Sequence, residues 1–148
     1  MIVVVVVAVI GGIFAIAVFN IASTSNLTSR LPRSANIVNG LITVQAGGYN
    51  YYFFTLPAGS TSISVSGSFT ASGGSGNDIQ VFVMDDANFI NWKNGYQASS
   101  YYSSGQLTTG TISANLPSPS TYDLVYSNAF STVSSKNVQT TVNLYYFA

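Results

Sequence analysis

The first 22 residues place the strongest constraint on how this chain can fold. Between Met1 and Ala22 no side chain carries a charge, and Asn20 is the only one with strong hydrogen-bonding groups. As an α-helix rising about 1.5 Å per residue, the segment would span roughly 33 Å, enough to cross the apolar core of a bilayer. The sequence therefore predicts one continuous membrane-spanning helix over residues 1–22, extending to about Ser25.

The flanks of this segment differ from those of a secretory signal peptide. A signal peptide normally combines a basic region with about 7–15 apolar residues and a small-residue cleavage site. Here the apolar run is longer, and the first positive charges, Arg30 and Arg33, come after it. A membrane anchor would carry Lys or Arg on its cytoplasmic side. We therefore expect that a leader preceding Met1 has been removed and that the chain is a mature form.

Small residues recur along the predicted helix at spacings of three and four. Such residues let neighbouring membrane helices approach closely, although Gly and Ala are common in all membrane helices and the recurrence is then incidental. Burying an aliphatic side chain contributes about 1.5–3 kcal/mol, so many copies of this segment packed together could hold a polymer without covalent bonds. The candidate assembly residues are Ala8, Gly11, Gly12, Ala15 and Ala22.

The rest of the chain has a different pattern, which divides it into three segments. Residues 1–25 form the predicted helix, residues 26–35 a polar linker and residues 36–148 an outer domain. Pro32 lies in the linker and cannot continue a helix. The predicted fold class is therefore α+β, with a long N-terminal hydrophobic helix followed by an all-β sandwich.

The outer domain shows the period-two alternation of half-buried strands. In "TSISVSGSFT", Ile63, Val65 and Phe69 lie on one face and serines on the other. Seven or eight short strands of this kind, separated by turn signals, are typical of a β-sandwich or barrel. The exposed strand faces are expected to be small and hydroxylic.

The charged and metal-ligating residues exclude several functions. Only 5% of the residues are charged and the net charge is zero, so no basic patch is available to bind nucleic acid. His, Cys and Glu are absent. Without His the chain lacks the usual base for a serine nucleophile, and without His and Cys it lacks the usual zinc ligands. Without Glu, only four Asp residues could form the carboxylate pair of a glycosidase. We expect no enzymatic activity, no cofactor and no metal site.

One acidic cluster, Asp85 and Asp86, has two interpretations. Together with Asp78 or backbone carbonyls, these carboxylates would offer the oxygen ligands that Ca²⁺ prefers. Asp at the end of a strand is more often a cap or turn former. The favoured interpretation is that Asp85 or Asp86 caps a single helical turn ending near Gly95.

Tyrosines occur in adjacent pairs, which predicts one core position and one surface position in each pair. Exposed tyrosines are also enriched at protein interfaces, because they offer a broad apolar area with a polar tip. The tyrosines concerned are Tyr49, Tyr51 with Tyr52, Tyr101 with Tyr102, and Tyr145 with Tyr146.

Solubility has to come from uncharged groups in this sequence. The chain contains 22 Ser and 13 Thr, whose hydroxyls do not titrate near neutral pH, so stability is expected to depend little on pH. Asn26 in "NLT" is an N-glycosylation candidate in the linker. The serine-rich strand face over residues 62–68 is a second candidate region for glycans.

The order of these segments resembles that of archaeal type IV pilins, which are relatives of archaellins. The likeness rests on "MIVVVVVAVIGGIFAIAVFNIA" at the start, followed by a short polar linker and a β-sandwich. Val5 stands where bacterial members usually carry Glu, and archaeal members often lack that Glu. The resemblance implies removal of the leader by a prepilin peptidase, a membrane-inserted precursor, and ATPase-driven assembly of identical subunits into a helical homopolymer.

Two functions remain open from the sequence. The first is a structural subunit of an extracellular filament on the cell surface, often glycosylated in this family, that displays the β-domain for adhesion. The second is a monomeric cell-surface binding module, held by a membrane anchor, that recognises a sugar or another envelope protein.

Overall fold

The computed structural model describes residues 2–10, 13–21 and 30–148, with side chains described for residues 30–148. The chain divides into two compact units, Met1–Arg30 and Leu31–Ala148, and this boundary lies inside the predicted linker. The elements are β1 (Ile2–Ile10), β2 (Ile13–Ile21), β3 (Pro32–Val44), β4 (Tyr49–Thr55), β5 (Thr61–Ser72), β6 (Ile79–Asp85), α1 (Asp86–Lys93), β7 (Tyr102–Leu107), β8 (Thr109–Leu116), β9 (Thr121–Ser127) and β10 (Lys136–Phe147).

The prediction of a long N-terminal helix is wrong. The described residues of segment 1–22 form two antiparallel strands, β1 and β2, with Ile2 opposite Ile21. The predicted α+β class is therefore replaced by a mostly β chain with one short helix. Among the residues that the structure describes, no helix is both long and apolar enough to span a membrane.

Two properties of the sequence explain the strands in this segment. Val and Ile are β-branched, which lowers helix propensity and favours extended backbone. The register places Ile10 opposite Ile13, so two residues, Gly11 and Gly12, separate the paired strands. Two apolar runs separated by Gly-Gly are a hairpin signal. The helix prediction was based on length and apolarity and gave this signal no weight.

The second unit is a sandwich of two four-stranded antiparallel sheets. The first sheet has the strand order β3-β10-β5-β8, and the second has the order β4-β9-β6-β7. Its eight strands match the expected number of seven or eight. The first of them begins at Pro32, within the segment 26–35 that was predicted as linker.

Inward-facing side chains from both sheets form one core. The predicted alternation in β5 is confirmed, because Ile63, Val65 and Phe69 are all buried while the serines between them face outward. The two tyrosines that are fully buried in the core have hydrogen-bond partners for their hydroxyls. The Tyr126 hydroxyl lies 2.7 Å from Thr140 Oγ1, and the Tyr122 hydroxyl donates to a backbone carbonyl. Burial raises the pKa of Tyr126 above its ordinary value.

Helix α1 covers part of the outer face of the second sheet. Asp85 is its N-cap and accepts a hydrogen bond of 2.8 Å from the Asn88 backbone N–H, which confirms the predicted cap, while the helix has eight residues rather than a single turn. Phe89 packs with Met84 and Val125 beneath the helix. Because α1 covers one face of β9 and the core covers the other, this strand is buried almost throughout.

Candidate binding surfaces of the sandwich

The predicted assembly residues are only partly within the described chain. Ala8 and Ala15 lie directly opposite each other in the β1–β2 pair. Because they lie in strands, the helical spacing that grouped the five candidates does not apply to these two. Gly11, Gly12 and Ala22, together with the glycosylation candidate Asn26, lie outside the described residues.

The tyrosine pairs follow the predicted division between core and surface. Tyr52, Tyr102 and Tyr146 pack against the sandwich core, and burial raises the pKa of Tyr52 and Tyr102. Their chain neighbours are exposed. The exposed members are Tyr51, Tyr101 and Tyr145.

Three exposed aromatic residues on β4 and the half-buried Trp92 on α1 form an area that we call the aromatic surface, defined as Tyr49, Tyr51, Phe53 and Trp92. The Tyr49 and Trp92 ring centroids are 5.1 Å apart, and the Tyr51 ring packs 4.8 Å from that of Phe89. Phe53 extends the row and is 70% exposed. Clustered exposed aromatic side chains of this kind usually mark an interaction site.

The backbone beneath the aromatic surface is also available for contact. β4 is an edge strand of its sheet, so one side of its backbone has no strand partner within the described sandwich. Its sequence, "YNYYFFT", contains neither a charge nor a proline. Charges and prolines are the usual devices that prevent edge strands from pairing with other chains.

The structure does not bring the candidate calcium ligands together. Asp78 precedes β6, and its Oδ1 lies 3.0 Å from Lys136 Nζ in an ion pair, while Asp85 lies at the other end of the strand. Burial alone would raise the pKa of Asp85, but hydrogen bonds from Asn88 and Tyr101 lower it overall. Within residues 30–148, where side chains are described, no group of three acidic or other metal-ligating residues is found.

Asp123 is a buried carboxylate that the sequence reasoning missed. It lies on β9, is 1% exposed, and its Oδ2 has no hydrogen-bond partner among the described residues. The pKa of Asp123 is raised to about 6, mainly by burial; the nearby carboxylates of Asp86 and Asp85 also raise it, and Lys93 lowers it. The available signal was an acidic residue inside the apolar run "TYDLVYS".

A polar cleft of about 340 Å³ lies between the loop after β5 and the loop before β10. Lys136 is 3% exposed, and its Nζ donates to the Gly73 carbonyl oxygen at 2.9 Å and to Asp78 Oδ1 at 3.0 Å. We define the polar cleft by the lining residues used below, which are Gly74, Ser75, Asp78, Phe130, Ser134 and Lys136.

The two loops that form the cleft are held in place by specific contacts. Gly74 has φ +68°, and a Cβ there would lie 2.8 Å from Ser134 Cβ, so glycine permits the loops to approach closely. Asn128 is fully buried, and its Nδ2 donates to the carbonyl oxygens of Gln45 and Ser134. No local sequence pattern indicates this arrangement, because the partner loop lies more than fifty residues away in the chain.

Comparison with known proteins does not assign a family or a function to this chain. No protein-family model matches the chain, and no curated protein matches it significantly.

Proposed function

We propose that the chain is a structural subunit of an extracellular filament of the archaeal type IV pilin kind, built from identical copies and displaying the sandwich outward. The observation that carries this proposal is a charge-free apolar segment, residues 1–22, joined to a sandwich whose core is filled by its own side chains. An isolated two-stranded sheet is marginally stable in water. Packing the β1–β2 segments of neighbouring copies together would remove their apolar area from water and stabilise a polymer.

The aromatic surface supports the same proposal with a second contact. A second copy of this chain, whose net charge is zero, can meet Tyr49, Tyr51 and Phe53 with the same aromatic chemistry and without electrostatic repulsion. Tyrosine suits such contacts because the ring buries area while the hydroxyl keeps a hydrogen bond. We therefore assign the aromatic surface to contacts between copies of this chain.

The proposal includes the environment and partners of the subunit. The membrane holds the apolar segment before assembly, and a prepilin peptidase and an assembly ATPase act on the precursor. The filament then displays the sandwich for adhesion at the cell surface.

Glycans on the outward side of the sandwich or linker would supply the solubility that charge does not. Asn26 and the serine-rich face over residues 62–68 are the proposed sites. Intact-mass measurement of native subunits tests this, and a mass above 15.6 kDa by whole sugar units is expected. A mass equal to that of the bare chain would reject the glycans and leave hydroxyl groups as the source of solubility.

A matched pair of lysine substitutions tests the filament proposal. Val6 lies in β1, within the apolar segment, and Val133 is an 87% exposed valine of the sandwich. After removal of detergent from the full chain, Val6→Lys should abolish sedimenting filaments, because a lysine in an apolar contact costs several kcal/mol. Val133→Lys should assemble like the unmodified chain. Normal filaments from Val6→Lys, seen by sedimentation and negative-stain electron microscopy, would contradict the proposal.

The polar cleft favours a second candidate function, a cell-surface binding module that acts as a monomer. Small-molecule sites are preformed clefts in which a few convergent polar groups orient the ligand, and this cleft has such groups, although its lining is more polar than usual. The two functions differ in their oligomeric state. A full chain that stays monomeric after detergent removal, yet binds a ligand, would favour the binding module.

A further inference from the structure

We propose that the polar cleft is a binding site for a neutral sugar. This site belongs to the sandwich alone and does not require the chain to form filaments. It depends on the charge balance, the hydrogen-bonding groups and the apolar rim of the cleft.

The charge balance of the cleft selects an uncharged ligand. Its only charged side chains among the described residues are Lys136 and Asp78, and they pair with each other at 3.0 Å. An anion attracted by Lys136 would be repelled by the Asp78 carboxylate. A cation attracted by Asp78 would be repelled by Lys136. In either case one member of the pair repels the charge that the other attracts, so neither sign of charge is favoured.

The hydrogen-bonding groups of the cleft match those of a polyhydroxylated molecule. A lysine ammonium has three donors, and Lys136 uses two of them on Gly73 and Asp78, which leaves one. A carboxylate offers about four acceptor positions, and the ion pair occupies one of those on Asp78. Ser75 adds a hydroxyl that can donate or accept. Sugar hydroxyls, which both donate and accept, can pair with the Ser75 hydroxyl and with the free acceptor positions of Asp78, whose carboxylate is held in place by the buried Lys136.

The rim of the cleft supplies an apolar surface beside these polar groups. Phe130 lines the cleft and is 36% exposed. The C–H face of a sugar ring can pack on such an aromatic face while its hydroxyls point toward Lys136 and Asp78. A cleft of about 340 Å³ lies at the small end of the range for ligand sites, about 300–1,000 Å³, and suits a mono- or disaccharide.

Titration of the full chain with defined sugars tests this proposal. The protein is kept in a zwitterionic detergent without a sugar headgroup, and binding is followed by saturation-transfer NMR. The probes are glucose, galactose, mannose and N-acetylglucosamine, with glucuronic acid and glucosamine as charged counterparts. We expect at least one neutral sugar to bind with Kd of about 1 mM or tighter, and the charged sugars to bind more weakly.

Two phenylalanine variants locate the site. Phe130→Ala removes the aromatic wall and should weaken binding at least about tenfold, or about 1.4 kcal/mol. Phe53→Ala removes an exposed phenylalanine from the aromatic surface and should leave Kd unchanged. Ser75→Trp, at an exposed loop position, should block the cleft without touching the core, which covers the case in which Phe130→Ala misfolds.

Three results would overturn the proposal. The first is no binding of any neutral sugar, and the second is tighter binding of a charged sugar than of every neutral one. The third is loss of binding in Phe53→Ala with retention in Ser75→Trp, which would move the site to the aromatic surface. A failure to bind sugar would not contradict the filament proposal, because filament assembly is measured separately by sedimentation.

Discussion

The two outer faces of the sandwich are built on the same strand pattern but carry different chemistry. On the first sheet the outward residues are mainly Ser, Thr and Asn, and they form cross-strand hydrogen bonds such as Thr43 to Asn137 and Thr141 to Asn39, each 2.8 Å. We call this side the hydroxyl face. The outer side of the second sheet carries α1 and the aromatic surface.

The comparison distinguishes the side chains that stabilise the fold from those that are available to contact a partner. Both faces lie over inward rows of apolar side chains, so both sheets bury their core sides equally well. The hydroxyl face satisfies its polar groups among themselves and with water. The aromatic surface keeps large apolar side chains in water, and that cost is recovered only when a partner covers them.

The largest expected difference between the faces is in assembly. Phe53 on the aromatic surface and Leu41 on the hydroxyl face are 70% and 67% exposed, so they are closely matched. Phe53→Lys should raise the protein concentration needed for filament formation at least about tenfold, because the contact would bury an unpaired charge. Leu41→Lys should change it less than about twofold. The measurement is sedimentation over a dilution series of each variant.

Folding controls accompany this comparison. Both residues are largely exposed, so each substitution should change the free energy of unfolding by less than about 0.5 kcal/mol. Equal loss of assembly in both variants, with both sandwiches folded, would mean that the aromatic surface has no special role.

A smaller effect is expected in the pH dependence of stability. It comes from Asp123 on β9, the strand that α1 covers on the outer side of the second sheet. Its pKa of about 6 in the folded chain lies above the ordinary value of 3.8. The folded state then holds the proton more tightly than the unfolded state, so stability is highest below about pH 4 and falls as pH rises through about 6. The charged groups that act on it are Asp86 and Lys93 on α1 and Asp85 at the end of β6.

The isosteric variant Asp123→Asn measures this effect. It should remove the fall in stability and raise the free energy of unfolding at pH 8 by about 1–2 kcal/mol. Denaturant unfolding at pH 4.5 and pH 8 provides the measurement. An unchanged pH dependence in Asp123→Asn would show that other groups are responsible. Asp123 thus makes an exception to the expectation that stability hardly depends on pH.

Local patterns predicted much of the sandwich from the sequence. The alternation of Ile63, Val65 and Phe69 identified a half-buried strand, and Asp85 identified the start of a helix, because both signals lie within a few residues. The N-terminal segment was predicted wrongly because apolarity fits a membrane helix and a strand pair equally well. There, β-branching and Gly11-Gly12 carried the information that mattered.

The candidate sites depended on contacts between distant parts of the chain. Lys136 and Asp78 are separated by 58 residues, and no sequence pattern next to either residue predicts their ion pair. The burial of Asp123 results from α1 folding over β9, which no local pattern near Asp123 indicates. The aromatic surface was partly foreseen, since the tyrosine pairs predicted one outward member each. Its continuation through Trp92 required the helix to be in place.

Cryo-electron microscopy of the full chain after detergent removal tests the central claim most directly, which is that this chain assembles with copies of itself through its apolar segment. The account predicts filaments in which residues 1–22 of neighbouring copies contact one another and the hydroxyl face lies on the outside. Dispersed monomers, or filaments held together by the sandwich with residues 1–22 making no contact between copies, would contradict it.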